Sequence, residues 1–491
     1  MKYISTRDKT ISISSSEGII QGLSKEGGLF VPRSIPKLDN LMALKEMEYK
    51  GLAYVIMKEF FTDFENDRLK NCIEKAYDNK FSTDHIVPVI KAGDAFFLEL
   101  FHGPTLAFKD MALSILPYLL KESMRINNIQ KEIAILTATS GDTGKAALEG
   151  FANVKGIKII VFFPEYGVSQ VQKMQMLTQE GNNTFVVGIN GNFDDAQGGV
   201  KDIFNNNHFI NLLGKNNYLL SSANSINIGR LIPQIVYYFH GYLTLLREKS
   251  IKENEKINIA VPTGNFGNIL AAYYAKEMGL PVNKLICASN ENNVLSQFID
   301  TGIYDRRRRL ILTSSPSMDI LLSSNLERLL FHLSGGDSVL VKDKMVELAE
   351  LGYYKMDNLD LRDFYGSYST EEEVGFEINK MFMDNNHLID PHTAVAYNVY
   401  QKYKSETNDN TKTIIASTAS PFKFGGKVVS SIGIDINNKD EFEIIEKLGS
   451  KTNVKIPKAI EDLKDKEIAH KNNCDREGME DILRKFLKVG I

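Results

Sequence analysis

From residue 95 the chain alternates short apolar runs with longer stretches of helical periodicity. The runs are AFFLEL from Ala95, EIAILTA from Glu132, KIIVFFP from Lys158, TFVVGI from Thr184, NYLLSS from Asn217, INIAVP from Ile257, KLICAS from Lys284 and TIIAST from Thr413. Each is short and mostly continuous in its apolar residues, which predicts buried strands. Strands joined through helices need crossovers, so the pattern predicts an α/β fold with mostly parallel sheets. Sheets of this kind bind ligands beyond the carboxyl ends of their strands. The loops directly after these runs are therefore where chemistry is expected.

The first 85 residues read differently. Tyr3–Ser5 predicts a short strand, Gly22–Pro32 a loop with an extended piece, and MALKEMEYKGLAYVIMKEFF from Met42 a helix. We divide the chain into a mostly helical N-terminal region, 1–85, and a larger region, 86–491. Pro117 falls inside the helix expected after Lys109 and predicts a kink. The mixed-charge stretch from Lys464, KDKEIAHKNNCDREGMED, reads as a solvated helix and linker.

A chain of 491 residues with 43% hydrophobic and 24% charged residues has the composition of an ordinary globular enzyme. Its net charge of −4 gives no reason to expect nucleic acid. The quartet Arg306–Arg309 reads as a solvated face or as structural ion pairs, with a binding role as the alternative. Cys72, Cys287 and Cys474 are too scattered for a disulfide framework or a zinc site, and the histidines show no metal-like spacing. No metal is expected. The N-terminus has no apolar signal core and no stretch is long enough to span a bilayer, so the expectation is a cytoplasmic protein without membrane contact.

One segment carries a reactive group. In LFHGPTLAFKDMA, Leu100–Ala112, Lys109 stands where a strand-like run meets a helix, among Leu106, Phe108 and Met111. It reads either as an ordinary first-turn lysine or as a nucleophile. Apolar surroundings disfavour the ammonium form and release the free amine for a Schiff base. His102, beside the turn, is open between a site role and a packing role.

Four further loops follow strands. PTGNFGN, Pro262–Asn268, opens a helix, and Gly264 and Gly267 allow backbone amides to approach a phosphate. It also reads as a plain tight turn. In ATSGDTGKAA, Thr139, Ser140, Thr143 and the amides near Gly141 suit a carboxylate at a helix start, while Ser140 or Asp142 reads equally as a helix cap. SSANSINIGR places Asn224, Ser225 and Arg230 together, a set suited to a phosphate dianion, or a loop with one surface arginine. ASTASPFKFG presents Ser417 and Thr418, whose hydroxyls suit a ring nitrogen. Pyridoxal 5′-phosphate needs a lysine, a phosphate cup and a partner for its pyridine nitrogen. An amino-acid substrate adds a carboxylate cup, and a phosphorylated one adds a second anion site. Lys109 is then the Schiff-base lysine.

With these motifs in view the chain resembles the long-form threonine synthases, among the fold type II (tryptophan synthase β-like) pyridoxal-phosphate enzymes. The resemblance covers nearly the whole chain. It is carried by YISTRD, EGIIQGLSKEGGLFVP, LFHGPTLAFKD, SGDTG, GNFDDAQ, SANSIN, SPSMDILLSSNLERLL and DPHTAVA. It implies two open, mostly parallel sheet domains behind the N-terminal domain, the smaller a mobile α/β subdomain inserted at roughly 130–225. Lys109 would bind the cofactor and shuttle protons. Gly264, Asn265, Phe266, Gly267 and Asn268 would surround its phosphate, and Thr418 would meet its ring nitrogen. Thr139, Ser140, Asp142 and Thr143 would line the substrate carboxylate and the cofactor's ring-oxygen side. Asn224, Ser225 and Arg230 would hold the substrate phosphate. Ser420 stands where the family often has histidine.

The implied reaction is γ-elimination then β-addition, taking O-phospho-L-homoserine and water to L-threonine and phosphate. The same residues also fit a phospho-lyase releasing 2-oxobutyrate and phosphate. A β-replacing sulfhydrylase or a dehydratase fits less well, since neither uses a second phosphate pocket. A regulatory protein that kept the fold is the non-catalytic alternative. The partner expected is the small-molecule substrate, and the chain is expected to be a monomer or homodimer.

Overall fold

The computed structural model describes residues 1–139, 141–165, 168–436 and 439–490. At the N-terminus β1 (Tyr3–Ser5) pairs antiparallel with β2 (Ser12–Ile13) on one side and β3 (Phe30–Pro32) on the other. The extended piece expected in Gly22–Pro32 is β3. The helix Ser15–Gln21 starts at a capping box, with the Glu17 amide donating to the Ser14 hydroxyl and the Ser14 amide to the Glu17 carboxylate. The helical stretch from Met42 is divided. A 3-10 turn, Met42–Leu44, is followed by an extended Glu48 and the helix Tyr49–Phe60. Leu52, Ala53, Ile56, Met57 and Phe60 of that helix are buried, one face at helical spacing.

The next two strands, β4 (Val89–Ala92) and β5 (Ala95–Glu99), form an antiparallel hairpin. The strands β6 (Glu132–Ala138), β7 (Ile157–Pro164), β8 (Thr184–Ile189) and β9 (Tyr218–Ser221) follow, with helices between them. Further along come β10 (Ile257–Pro262), β11 (Val282–Ser289), the antiparallel pair β12 (Ile303–Asp305) and β13 (Tyr353–Lys355), then β14 (Phe364–Tyr368), β15 (Thr413–Ser417) and β16 (Asn472–Cys474).

Two sheets result, and both are α/β. The larger runs β14-β11-β10-β15-β5-β4, parallel except for β4 at its edge. The smaller runs β16-β8-β7-β6-β9 and is parallel throughout. The central strands β10 and β15 are buried along their whole length, because helices cover both faces. One cover is the helix Ile228–Arg247, nearly all of it buried. Another is Pro391–Thr407, which packs against β10, β11 and β15.

Three expectations change. Pro117 does not kink a helix. The helix Asp110–Leu113 ends, and a new one, Leu116–Ile126, carries Pro117 in its first turn, where a missing N–H costs nothing. The stretch from Lys464 is solvated, most of its residues being exposed, but it is more than a linker. Asn472–Cys474 adds β16 to the edge of the smaller sheet, and the helix Met479–Leu487 buries Met479, Leu483 and Leu487 in the core beneath it. β4 and β14 were not anticipated, because VIKA has a single buried residue and FYGSY carries no aliphatic run.

The arginine quartet is largely structural: Arg307 grips Asp305 through two nitrogens and lies over the Tyr353 ring, and Arg308 bonds Asn293. Among the described residues no helix is long and apolar enough to cross a membrane, and no cluster of side chains suits a metal.

Candidate active site

The sheet order brings the expected loops together. β10, β15 and β5 are neighbours, so the glycine loop, the Thr418 loop and the Lys109 turn leave the larger sheet side by side. β6 and β9 are neighbours in the smaller sheet, which pairs the Thr139–Thr143 turn with the Asn224–Arg230 loop.

The Lys109 turn is closed by its own side chains. Asp110 accepts from the Thr105 amide at 2.8 Å and the Thr105 hydroxyl at 2.5 Å. The Phe108 amide donates to the Thr418 carbonyl at 2.8 Å, and the Ser420 amide to the Leu106 carbonyl at 3.0 Å. These bonds fasten the turn to the loop after β15 and fix the direction of Lys109. Its amine is 9% exposed by residue, lies 5.4 Å from the Phe108 ring centre and donates to the Ser317 hydroxyl at 2.9 Å. It also meets the Asp142 carboxylate at 3.3 Å. Burial draws its pKa below that of an ordinary lysine; Asp142 opposes the shift, while Lys423 and Arg230 add to it. His102 does not join this group: it bridges Ser82 at 3.0 Å and Glu99 at 2.7 Å.

The turn after β6 gathers charge. Gly141 adopts φ +142, a conformation L side chains rarely adopt, and a Cβ there would strike Gln172. The Thr139 hydroxyl accepts from the amides of Gly141 at 3.0 Å and Gly144 at 2.9 Å, so it holds the turn together. Asp142 begins the helix Asp142–Phe151 but does not cap it. Its carboxylate takes Lys423 at 2.6 Å and Gln172 at 2.9 Å on one oxygen and Lys109 on the other. Burial alone would raise its pKa; the two lysines overcome that and hold it well below the usual carboxylate range. The Thr143 hydroxyl makes no hydrogen bond among the described residues. Ser140, expected with them, lies outside the described residues.

The turn after β10 gathers amides. Phe266 is buried at φ +60 and precedes the helix Gly267–Glu277. None of the amides from Gly264 to Ile269 has a partner among the described residues. The carbonyls of the same loop are taken up: Gly264 accepts from the Ser323 hydroxyl at 2.7 Å, and Asn265 from the Asn325 side chain at 3.0 Å. A Cβ on Gly264 would lie 2.6 Å from the Ser317 carbonyl oxygen. Bare amides at a helix start, with no room for a side chain, fit a phosphate. The Asn268 side-chain oxygen accepts from the Tyr237 and Tyr238 hydroxyls, and its buried Nδ2 has no partner among the described residues, so Asn268 offers a side-chain donor beside its backbone amide.

The loop after β9 holds a second cationic position. Arg230, 4% exposed, donates to the Ala223 carbonyl at 2.9 Å; its Nε has no partner and no carboxylate pairs with it among the described residues. Burial pushes the guanidinium down to about 10. Asn224 is exposed and Ser225 half-buried beside it. The Asn325 side-chain amide donates to both the Ser225 and the Asn265 carbonyls, at 3.3 and 3.0 Å, so the two anion-suited loops share one clasp. Arg328, fully buried, bonds Asn325, Ile226 and the Phe30 carbonyl of β3. The N-terminal sheet is thereby tied to the site. Thr418 is buried, and its hydroxyl bonds nothing among the described residues.

Family models match along the chain: "Threonine synthase N terminus" over residues 2–77, "Pyridoxal-phosphate dependent enzyme" over 91–419 and "Threonine synthase, C-terminal" over 393–480. Threonine synthase from Saccharomyces cerevisiae is 34% identical over 90% of this chain and 91% of its own length. The chain belongs to the threonine synthase family. Its members are pyridoxal-phosphate enzymes of fold type II, and the crystal structure of the PLP-bound threonine synthase from Brucella melitensis superposes with a TM-score of 0.88, at 32% identity, over 99% of this chain and 100% of that one. The human protein named threonine synthase-like 1 is 39% identical over 89% of this chain, which spans 60% of that relative's length.

Within this family the residues present fit pyridoxal phosphate: a low-pKa amine, an amide cradle and a free hydroxyl on neighbouring strand ends. Sequence reasoning did not single out Ser317, Asn325 and Arg328, although they lie in the motif Ser315–Leu330. Nor did it single out Lys423, two residues beyond Pro421, or Gln172, for which no local signal exists. His392 of DPHTAVA stands behind Ser317, its Nε2 accepting from the Ser317 amide at 3.3 Å while Nδ1 faces Asp390 at 2.8 Å.

Proposed function

We propose that this chain converts O-phospho-L-homoserine and water to L-threonine and inorganic phosphate. The observation that carries the reading is Arg230. A buried guanidinium without a counter-ion is costly unless an anion arrives to pair with it. The loop that precedes Arg230 is clasped to the amide cradle through Asn325, which bonds the Ser225 and Asn265 carbonyls, and this supports two anion positions next to each other. One suits the cofactor phosphate and the other a substrate phosphate.

Bound pyridoxal phosphate supplies the electron sink for charge developing at the substrate Cα. Lys109 takes the Cα proton, its free amine favoured by burial and its position held by Ser317. The start of the helix Asp142–Phe151, with Thr143, receives the substrate carboxylate. Arg230, Asn224 and Ser225 hold the substrate phosphate while a proton leaves Cβ and the Cγ–O bond breaks towards phosphate. A proton returns to Cγ, water then adds its hydroxyl at Cβ, its other proton balancing the charge of the released phosphate, and Lys109 returns a proton to Cα. Thr418 offers a neutral hydroxyl to the cofactor nitrogen. We assign the smaller sheet, with its Thr139–Thr143 turn, to the substrate-binding part of the molecule.

The purified protein is expected to release threonine and phosphate in equal amounts from O-phospho-L-homoserine. Phosphate with 2-oxobutyrate in place of threonine would make it the phospho-lyase, and neither product would overturn the catalytic reading. Arg230→Met is expected to raise KM about 10- to 100-fold, the loss of one charged hydrogen-bonding group.

A further inference from the structure

Asp142 faces two lysines, and only Lys109 is explained by the reaction. We propose that Lys423 is the permanent counter-cation of Asp142, the positioning residue that allows Lys109 to shed its proton in a buried site that faces a carboxylate. The inference rests on Lys109 being the reacting amine and is independent of which product forms.

A carboxylate within about 4 Å of an amine favours the ammonium form. Asp142 would by itself hold Lys109 charged, the wrong state for a nucleophile or a base. Lys423 removes that hold. It is 0% exposed, sits 2.6 Å from Asp142 Oδ1, and is the closer of the two lysines. It donates to the Thr105 carbonyl at 2.9 Å, so the Lys109 turn itself seats it. Its backbone belongs to the 3-10 segment Pro421–Phe424, directly after Ser420, whose amide bonds Leu106. Gln172 completes the carboxylate oxygen that Lys423 occupies. The Asp142–Lys423 pair is therefore neutral whether or not Lys109 carries a proton. The remaining ionisable groups around the amine are Arg230 from the helix Ile228–Arg247, its neighbour Asp110, and His392 behind Ser317 on the helix Pro391–Thr407. Arg230 also repels a charged Lys109.

The test reads Lys109 directly, without substrate. Full-length protein freed of cofactor is trace-labelled with acetic anhydride across pH, and acetylation of the Lys109 peptide is followed by mass spectrometry. In Lys423→Met the half-point of Lys109 reactivity is expected to rise by one pH unit or more, a tenfold loss of free amine at pH values well below it. Lys423→Arg is expected to reverse part of that rise. The double variant Asp142→Asn/Lys423→Met removes both charges of the pair and is expected to return the half-point to the native value or below. It also serves as the folded test if the single variant is unstable. An unchanged profile in folded Lys423→Met, or a double variant that keeps a raised half-point, would overturn the proposal. A failure of the threonine reading leaves these labelling profiles untouched.

Discussion

The turns after β6 and β10 look alike in sequence: each is a glycine-rich break between a buried strand and a helix. In the structure they do opposite things. The first spends two of its donors on itself, with the Gly141 and Gly144 amides turned onto Thr139 and the Asp142 carboxylate locked between two lysines. The second keeps its donors bare and gives its carbonyls to Ser323 and Asn325. A glycine turn becomes an anion cradle only when neighbouring segments take its carbonyls and leave its amides free. When a side chain of the turn itself takes the amides, the turn presents side-chain charge instead.

The largest effect is expected from breaking the charged turn. Asp142→Ala leaves two buried lysines facing each other, and loss of one partner of such a group costs about 3–5 kcal/mol. Urea unfolding at neutral pH measures it; a cost under 1 kcal/mol would mean the ion cluster is not formed in solution. The pH dependence has a definite sign. The folded Asp142 carboxyl titrates below its unfolded counterpart, so its stabilisation is complete above about pH 4 and is lost as pH falls through the folded value. Asp142→Asn is expected to flatten the acid limb of stability plotted against pH.

The cradle is sharpened by two glycines within it. Gly264→Ala would force a methyl to within 2.6 Å of the Ser317 carbonyl oxygen, and Gly267→Ala makes ordinary contacts with the side chains of Asn325 at 3.4 Å and Gln234 at 3.9 Å. Retention of cofactor through dialysis is expected to fall about tenfold or more for Gly264→Ala, the effect of losing one or two charge-assisted amide contacts, and to stay near native for Gly267→Ala. Equal losses would remove the distinction between the two positions.

The smallest effect is expected at Thr139. Thr139→Val keeps the shape and deprives two amides of their acceptor, at about 1–3 kcal/mol in thermal unfolding. Its effect on KM is expected to be smaller than that of Arg230→Met, because the hydroxyl faces the turn. A larger KM effect would return Thr139 to direct substrate contact.

Much of this was legible in the chain, for reasons that differ by element. β10 and β15 announced themselves because helices cover both their faces and most of their positions are apolar, Asn258, Thr413 and Ser417 being the buried exceptions. β16 did not. It is an edge strand, Asn472–Cys474, held through its backbone, and NNC carries no hydrophobic pattern. Lys109, Arg230 and Thr418 were legible because each follows a strand closely. Asn325 and Lys423 act across 60 and 281 positions of sequence, on Asn265 and Asp142, and no local spacing records such a partnership.

By itself the sequence determined the α/β class and the strand-end loops and lysine proposed as the site, since apolar periodicity and glycine turns are local properties of a chain. The tertiary structure alone decided which donors remain free, which carboxylate faces Lys109 and which cation answers that carboxylate. Those depend on where segments far apart in sequence meet, and on the water that their meeting excludes.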